Sequence, residues 1–554
     1  MGRTIRTCSL IGLAAVVAAG PALASRQMLP QSPESLFVGA RAADMAGDAR
    51  RSALLYSSLV QAEPSNRMIA AKAISQAIAA GDLALALRLA RAHPPEQLTT
   101  EGRLALVADE LARGRAEGAE RVLRARGDGV DLSFLLPAVS AWRAADGNDL
   151  AGALRHLDIV PAQSGLSPYA AEQRAFILLR FRRTADAAPL IERALASAQG
   201  RERRLRIAFA DAHLRAGDRG GALKLLAGDD ATISAARRRL ERGGRLDSAI
   251  LTPASAFAEL LLAFAIDINR QDERDLPIAM AQVARHADPR NAEAPIILGM
   301  LLGGYGRADD ALAVLRSVPD GSPFATQARD AEIRTLVGAG RRDEALARAR
   351  AFAANDGAME DWGRVGDVLD SLDRHVEAAD AYGHAVHAAE ARGSDDRWTL
   401  YLLQGSALEE AKRWAEAEAA LERAYTLAPN NPVVLNYLGY ARLERGEQLD
   451  EAEALIAKAS ALAPDDASIT DSLGWAQFKR GKVQDAITTL QRAALGDPGQ
   501  AEIHEHLGDA LYTAGRKYEA RFAWRAALAT AEDRVKQRVE AKIESGLNPA
   551  NAAP

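Results

Sequence analysis

The sequence predicts an all-α protein, a right-handed superhelical solenoid of stacked helix–turn–helix repeats. Three observations lead there. Gly405, Gly439, Gly474 and Gly508 recur at intervals of 34, 35 and 34 residues. Ala417, Ala452, Ala486 and Ala520 keep step at 35, 34 and 34, and so do Ala424, Ala459, Ala493 and Ala527. Pro429, Pro464 and Pro498 close the first three units. Self-similarity at a fixed period near 34 residues, with small side chains at set places, is what a row of nested helical hairpins needs.

Each marker has a physical reason. Glycine inside a helix costs about 0.5–1 kcal/mol against alanine, so its return at one place in every unit implies a close approach there. The glycine at repeat position 8 and the alanine at position 20 are expected to face each other across the hairpin. Small residues there bring the helix axes to the short end of a roughly 8–10 Å range. A larger side chain would overpack the contact, at about 1–3 kcal/mol. The alanines at position 27 (Ala459, Ala493, Ala527) are expected to face the next unit. Proline at position 32 ends the second helix. Gly446, Gly481 and Gly515 fall between the two helices, where a left-handed backbone suits glycine.

Leu473-Gly474, Gly481, Ala486, Leu490, Ala493 and Pro498 carry a resemblance to the tetratricopeptide repeat family. Asp471–Leu495 reads as one near-consensus unit, and the single departure nearby is an extra residue in the turn after Gly446. The pattern DSLGW…EHLGD is also similar to exported bacterial members of that family. Among them is the lipoprotein adaptor that brings substrates to a periplasmic carboxy-terminal processing protease. This chain lacks that adaptor's anchoring cysteine. The resemblance implies a protein that binds other proteins or peptides.

From its start the chain divides as follows. Residues 1–24 read as a signal peptide: Arg3 and Arg6, a short apolar run from Ser9 to Gly20, then Ala22-Leu23-Ala24 as a cleavage site. The expected address is exported and periplasmic, with cleavage after Ala24. The only cysteine, Cys8, precedes the apolar run, so neither a lipid anchor nor a disulfide is indicated. No later stretch is apolar for the roughly 17–25 residues that a membrane span needs. Residues 25–32 read as a disordered lead and 33–252 as a degenerate repeat array. Its turn-plus-second-helix pairs are read at Gly114/Ala119, Gly147/Ala153, Arg183/Ala187 and Gly217/Ala222, with drifting spacing. A weak point falls at 229–252. A middle array covers 253–390, and an insertion follows in Ala391–Asp396. The four regular units occupy 397–530, a charged helix over 531–547 caps the open end, and 548–554 reads as a disordered tail.

Composition and motifs point away from catalysis. At 554 residues an elongated array is favoured over one compact core. Aromatic residues make up 5%, which suits many small helix contacts, and a net charge of −5 gives no reason to invoke nucleic acid. His504 and His506 lie two apart, on different sides of a helix, so no metal is expected. Gly303-Gly304-Tyr305-Gly306 follows no strand and reads as a turn between repeat helices, so no cofactor is expected either. Arg237–Arg239, Arg242 and Arg245 read as a solvated helix face rather than an anionic docking surface. No catalytic residue is assigned.

What an array of this kind offers is a concave groove lined by the first helices. Its side chains in the last three units are expected to be Asn436, Tyr440 and Glu444, then Asp471, Trp475, Phe478 and Lys479, then Glu505, Asp509 and Tyr512. That lining is aromatic and acidic, so the expected partner is a protein segment with basic and apolar side chains. The acids at Asp471, Glu505 and Asp509 disfavour capture of a terminal carboxylate. On this reading Trp475→Ala with Asp509→Lys abolishes partner capture without altering the melt. The plainer alternative is that Trp475 and Tyr440 pack between units. The expected function is a non-enzymatic exported scaffold or adaptor, with peripheral envelope association open to it. A factor for envelope or exopolysaccharide export, or an accessory subunit of an envelope enzyme, are the alternatives.

Overall fold

The computed structural model describes residues 32–553, apart from 128, 199, 229, 270–274 and 394–396. The signal-peptide reading over 1–24, the lead up to residue 31 and half of the 391–396 insertion therefore lie outside the described residues. Among the described residues thirty α-helices and three short 3-10 turns succeed one another without a strand. Short polar side chains start many of the helices. Asp48, Asn66, Asp82, Asp149, Asp218, Asn431 and Asp466 each accept a hydrogen bond from a backbone N–H in the first turn. Such caps contribute typically about 1 kcal/mol each.

The regular units are four hairpins: Arg397–Glu410 with Trp414–Leu427, Pro432–Arg445 with Leu449–Leu462, Ala467–Lys479 with Val483–Gly496, and Ala501–Thr513 with Lys517–Leu528. A Cβ on Gly439 would sit 2.7 Å from Ile456 Cγ1 and 2.9 Å from the Ala452 carbonyl oxygen. One on Gly474 would sit 2.6 Å from Leu490 Cγ, and one on Gly405 2.7 Å from Leu421 Cγ. Gly508 is closed in the same way by the Trp524 indole. The recurrent glycine is therefore a seat for a large side chain one turn beyond the alanine. Leu421, Ile456, Leu490 and Trp524 themselves recur at 35, 34 and 34 residues.

The turns keep the beat far beyond this region. Residues with left-handed φ stand at Gly47, Gly81, Gly114, Asn148, Arg182 and Gly217, at intervals of 34, 33, 34, 34 and 35. They resume at Gly306, Gly340, Asp373, Lys412, Gly446, Gly481 and Gly515. The drift read from the sequence in the first array is thus corrected. Gly147 has φ −75° and is the helix C-cap, and Arg183, φ −90°, caps the next helix. The turn residues are Asn148 and Arg182, which hold a left-handed backbone despite a Cβ, at about 1–2 kcal/mol each. In the unit with the extra residue, Gln448 takes a second left-handed position at φ 47° after Gly446.

The hairpin Pro253–Asn269 and Asp275–Ala287 does more than continue the row. It packs against the first helices of the second, third and fourth units, Arg67–Ala79, Thr100–Ala112 and Leu136–Asp146. Phe257, Leu261, Phe264 and Ile278 join Ile74, Leu104, Leu135 and Val139 in one core. Upstream lies the helix Ala231–Glu241 and then a helix-free link over 242–252. Asp211 holds that link by accepting from the backbone N–H of Ser248 and of Ala249, both at 2.8 Å.

An ion network fastens the same hairpin. Glu259 accepts from Arg201 and Arg204, each at 3.2 Å, and Arg201 also donates to Glu172 at 2.9 Å. Glu293 lies 3.9 Å from Arg204. All five side chains are buried. Burial pushes the Glu293 carboxyl up to about 7, and the negative charge of Glu259 adds to the rise that Arg204 opposes.

Candidate functional site

The first-helix faces of the last three units carry the residues that the sequence assigns to a groove, and the structure divides them. Trp475 is 1% exposed. Its ring stacks on His506 at 4.1 Å and on Phe478 at 4.9 Å. Asp471 is buried too and takes His506 Nδ1 at 2.9 Å. Trp475 and Asp471 are therefore interior, as the plainer alternative for Trp475 has it. Burial disfavours the charged His506 ring, but the Asp471 carboxylate outweighs it and holds the imidazole above its ordinary range. Phe478 and Tyr512 are half-buried, and Lys479 is exposed, its ammonium 5.2 Å from the Trp475 ring.

Glu505 and Asp509 are 0% exposed, because the chain covers them itself. The capping helix, Asp533–Ser545, lays Arg538 across Glu505 through two hydrogen bonds of 2.6 Å. Lys542, also 0% exposed, bridges Glu505 at 2.5 Å and Asp509 at 2.7 Å. Asp509 further accepts from Trp524 Nε1 at 2.9 Å. Burial alone would raise the Glu505 carboxyl, but the hydrogen bonds from Arg538 and Lys542 win and leave it below its ordinary range. At Asp509 burial wins over Lys542 and the carboxyl is raised.

The segment read as a disordered tail continues this cover. Asn551 and Ala553 are buried, and Ala553 joins Leu443, Ile456 and Trp475 in one apolar cluster. The Ala553 N–H reaches Asp509 Oδ2 at 3.3 Å, and Asn551 Nδ2 donates to the Gly546 carbonyl at 2.9 Å. The correction has a plain cause: Asn548 and Asn551 close a turn on each other, and the small Ala553 fits where a larger side chain would overfill the cluster. Arg538 and Lys542, in the helix that the sequence reads as a charged cap, are i, i+4 neighbours, so they share one face.

Further along, the same face has acceptors that nothing meets. Asn436 Oδ1 and Glu444 Oε1 are buried atoms without a hydrogen-bond partner among the described residues. Burial raises the Glu409 carboxyl, helped by the like charges of Glu410 and Glu444. Burial also raises the Tyr440 hydroxyl, with Glu444 and Asp471 adding to it. The sequence could not separate these open acceptors from the closed ones at Glu505 and Asp509, since all of them are polar residues on first helices.

His504 and His506 go to different partners, Pro498 O and Asp471. Among the described residues no group of three or more His, Cys, Asp or Glu is placed to hold a metal ion. Among them also, no helix is long and apolar enough to cross a membrane.

Residues 408–473 match a tetratricopeptide repeat family, from the end of the first helix of the first regular hairpin into the first helix of the third. That segment carries the tetratricopeptide repeat. No curated protein matches it. Among solved structures it is similar to a chain of the APC/C hetero-tetramer Cut9–Hcn1, at 16% identity over 93% of this chain and 97% of that one, TM-score 0.38. Yeast Tom70 aligns at 10% identity over 93% and 95%, TM-score 0.37. A tetratricopeptide repeat protein from Parabacteroides merdae aligns at 13% identity over 52% and 99%, TM-score 0.35. Nothing about function is carried over from these three to the repeats described here.

Proposed function

We propose that this tetratricopeptide protein is a non-catalytic scaffold whose C-terminal array holds a basic, partly apolar segment of a partner protein. One observation carries the reading: the carboxylates of the last unit are already met by a basic helix, the chain's own, while the neighbouring acceptors on the same face stay unmet. Buried acceptors without donors cost about 1–3 kcal/mol each, so a segment that brings Lys or Arg to Glu444 and Asn436 regains that energy on binding. The apolar contacts come from Tyr440 and the half-buried rim of Phe478. The contact is charge-assisted and weakens as salt rises.

The leader reading places this scaffold outside the cytoplasm. Residues 1–32 fused to a reporter that is active only after export test that address, and a reporter that stays inactive refutes it. Delivery of substrates to a processing protease is the finer form of the proposal. An export-assembly role and an accessory-subunit role differ from it in the partner that is caught. The test is in-cell photo-crosslinking from positions 436 and 440 of the full chain, followed by peptide identification. The expected capture is one recurrent segment rich in Lys or Arg. Crosslinks to acidic segments only, or none beyond the chain itself, overturn the reading.

A further inference from the structure

A second site lies far from the C-terminal face, where the first array, the 242–252 link and the middle array meet. A cleft of about 900 Å3 opens there, lined among others by Gln282, Arg285, Asn291, Leu246 and Arg239. Its rim is stiffened by Pro289, Pro295, Pro319 and Pro323, which fix φ and bring no N–H of their own. The polar groups facing it are mostly donors, and several have nothing to donate to. Arg285 makes no ion pair and no hydrogen bond to any described residue, although burial alone pulls its guanidinium below its ordinary range. Asn291 is 4% exposed, and its Oδ1 is spent on the N–H groups of Glu293 and Ala294. Its Nδ2 is a buried donor without an acceptor.

The acceptors in the cleft are committed elsewhere. Asp288 lies 3.7 Å from Arg290 and takes its backbone N–H. Asp247 lies 3.5 Å from Arg245 and 3.8 Å from Arg215. Arg239 is tied to the carbonyls of Arg245 and Gly321. What remains on the lining of the one cleft is an unpaired guanidinium and a buried amide donor.

We propose that this cleft binds a small oxyanionic ligand, its phosphate or carboxylate group held by the Arg285 guanidinium and the Asn291 amide. A guanidinium presents paired N–H groups that match two oxygens of such a group. The apolar walls at Leu83, Leu246 and Val318 leave room for a body larger than the anion itself. The bound ligand touches residues of both arrays and so resists their separation.

Thermal unfolding of the full chain tests this with inorganic phosphate in one arm and citrate in the other, at constant ionic strength against chloride. At least one probe is expected to raise Tm in a saturable way, and which one does so says whether phosphate or carboxylate is preferred. Arg285→Gln and Asn291→Asp are each expected to weaken that binding tenfold or more. Asn291→Asp keeps the acceptor that caps Glu293 and Ala294 but puts a carboxylate in place of the buried donor, so circular dichroism of the variant checks that the fold is kept. Arg285→Gln has a second readout. It removes an uncompensated charge, and it is expected to raise the Tm of the ligand-free protein. No saturable shift in the wild type, or equal shifts in wild type and both variants, overturns the proposal.

Discussion

Lys542→Met isolates the contact that closes the end of the array. The ammonium stands 2.5 Å from Glu505 and 2.7 Å from Asp509, and all three side chains are out of water. Removing one member of a buried ion pair costs about 3–5 kcal/mol, because the other charge stays behind uncompensated. Here Glu505 keeps two hydrogen bonds to Arg538, and Asp509 keeps the Trp524 N–H. The lower end, about 3 kcal/mol, is therefore expected. In a solenoid each unit contacts only its neighbours, so the loss falls on the cap and not on the whole row. Amide hydrogen exchange over 533–553 reads it directly. At about 1.4 kcal/mol per tenfold, exchange there accelerates roughly a hundredfold, while 33–252 stays as in the wild type. The double variant Asp509→Asn, Lys542→Met recovers most of the protection, since Glu505 stays paired with Arg538 and no buried charge is then left alone. Unchanged exchange over 533–553 in Lys542→Met refutes the argument that this lysine fastens the cap.

Two other outcomes follow from the same geometry. Trp475→Ala with Asp509→Lys, which a groove reading expects to spare the melt, instead destabilises the C-terminal units: truncating a buried tryptophan costs about 3–5 kcal/mol, and a second buried lysine faces Lys542; a melt of residues 397–553 that matches the wild type contradicts this. Stability also depends on pH through Glu293, whose folded value of about 7 lies above the unfolded 4.5. A raised carboxyl favours the folded state while protonated, so its contribution is fully present below about pH 4.5 and is lost as pH rises through 7, by at most about 3 kcal/mol. Glu293→Gln is expected to flatten that slope in denaturant titrations between pH 5 and 8, and a slope as steep as the wild type's is the contrary result.

The repeat was legible because its markers are backbone requirements. A glycine that seats Leu490, or an alanine at a hairpin crossing, cannot be replaced without a clash, so it returns in every unit. The seats were legible and the side chains filling them were not, since Leu421, Ile456 and Trp524 share only bulk. The first array looked irregular because Asn148 and Arg182 fill turn positions that glycine fills elsewhere. Its register is kept by a conformation and not by a residue type, and one sequence displays only the second. The candidate face failed differently. Trp475, Glu505 and Asp509 do lie on first helices, but position on a helix does not say whether a distant segment covers it. That depends on pairing 33 to 44 residues apart, between Asp509 and Lys542 or Ala553.

Two sets of first helices are packed on by other helices of the chain, and the two contacts differ in kind. Phe257, Leu261 and Phe264 sink into the first array as core, and an arriving peptide would have to replace their whole buried apolar surface with its own. The second cover is fastened by Arg538 and Lys542 on Glu505 and Asp509. Any segment that brings two basic groups in the same spacing can take over those contacts without leaving a carboxylate unpaired. Exchange of that sort is nearly neutral in hydrogen bonds, so on the proposed function the affinity of a partner is decided by what it adds at Asn436, Tyr440 and Glu444. On the proposed function, cap and partner segment meet on one acidic face, and the cap helix sets the threshold that the partner has to exceed.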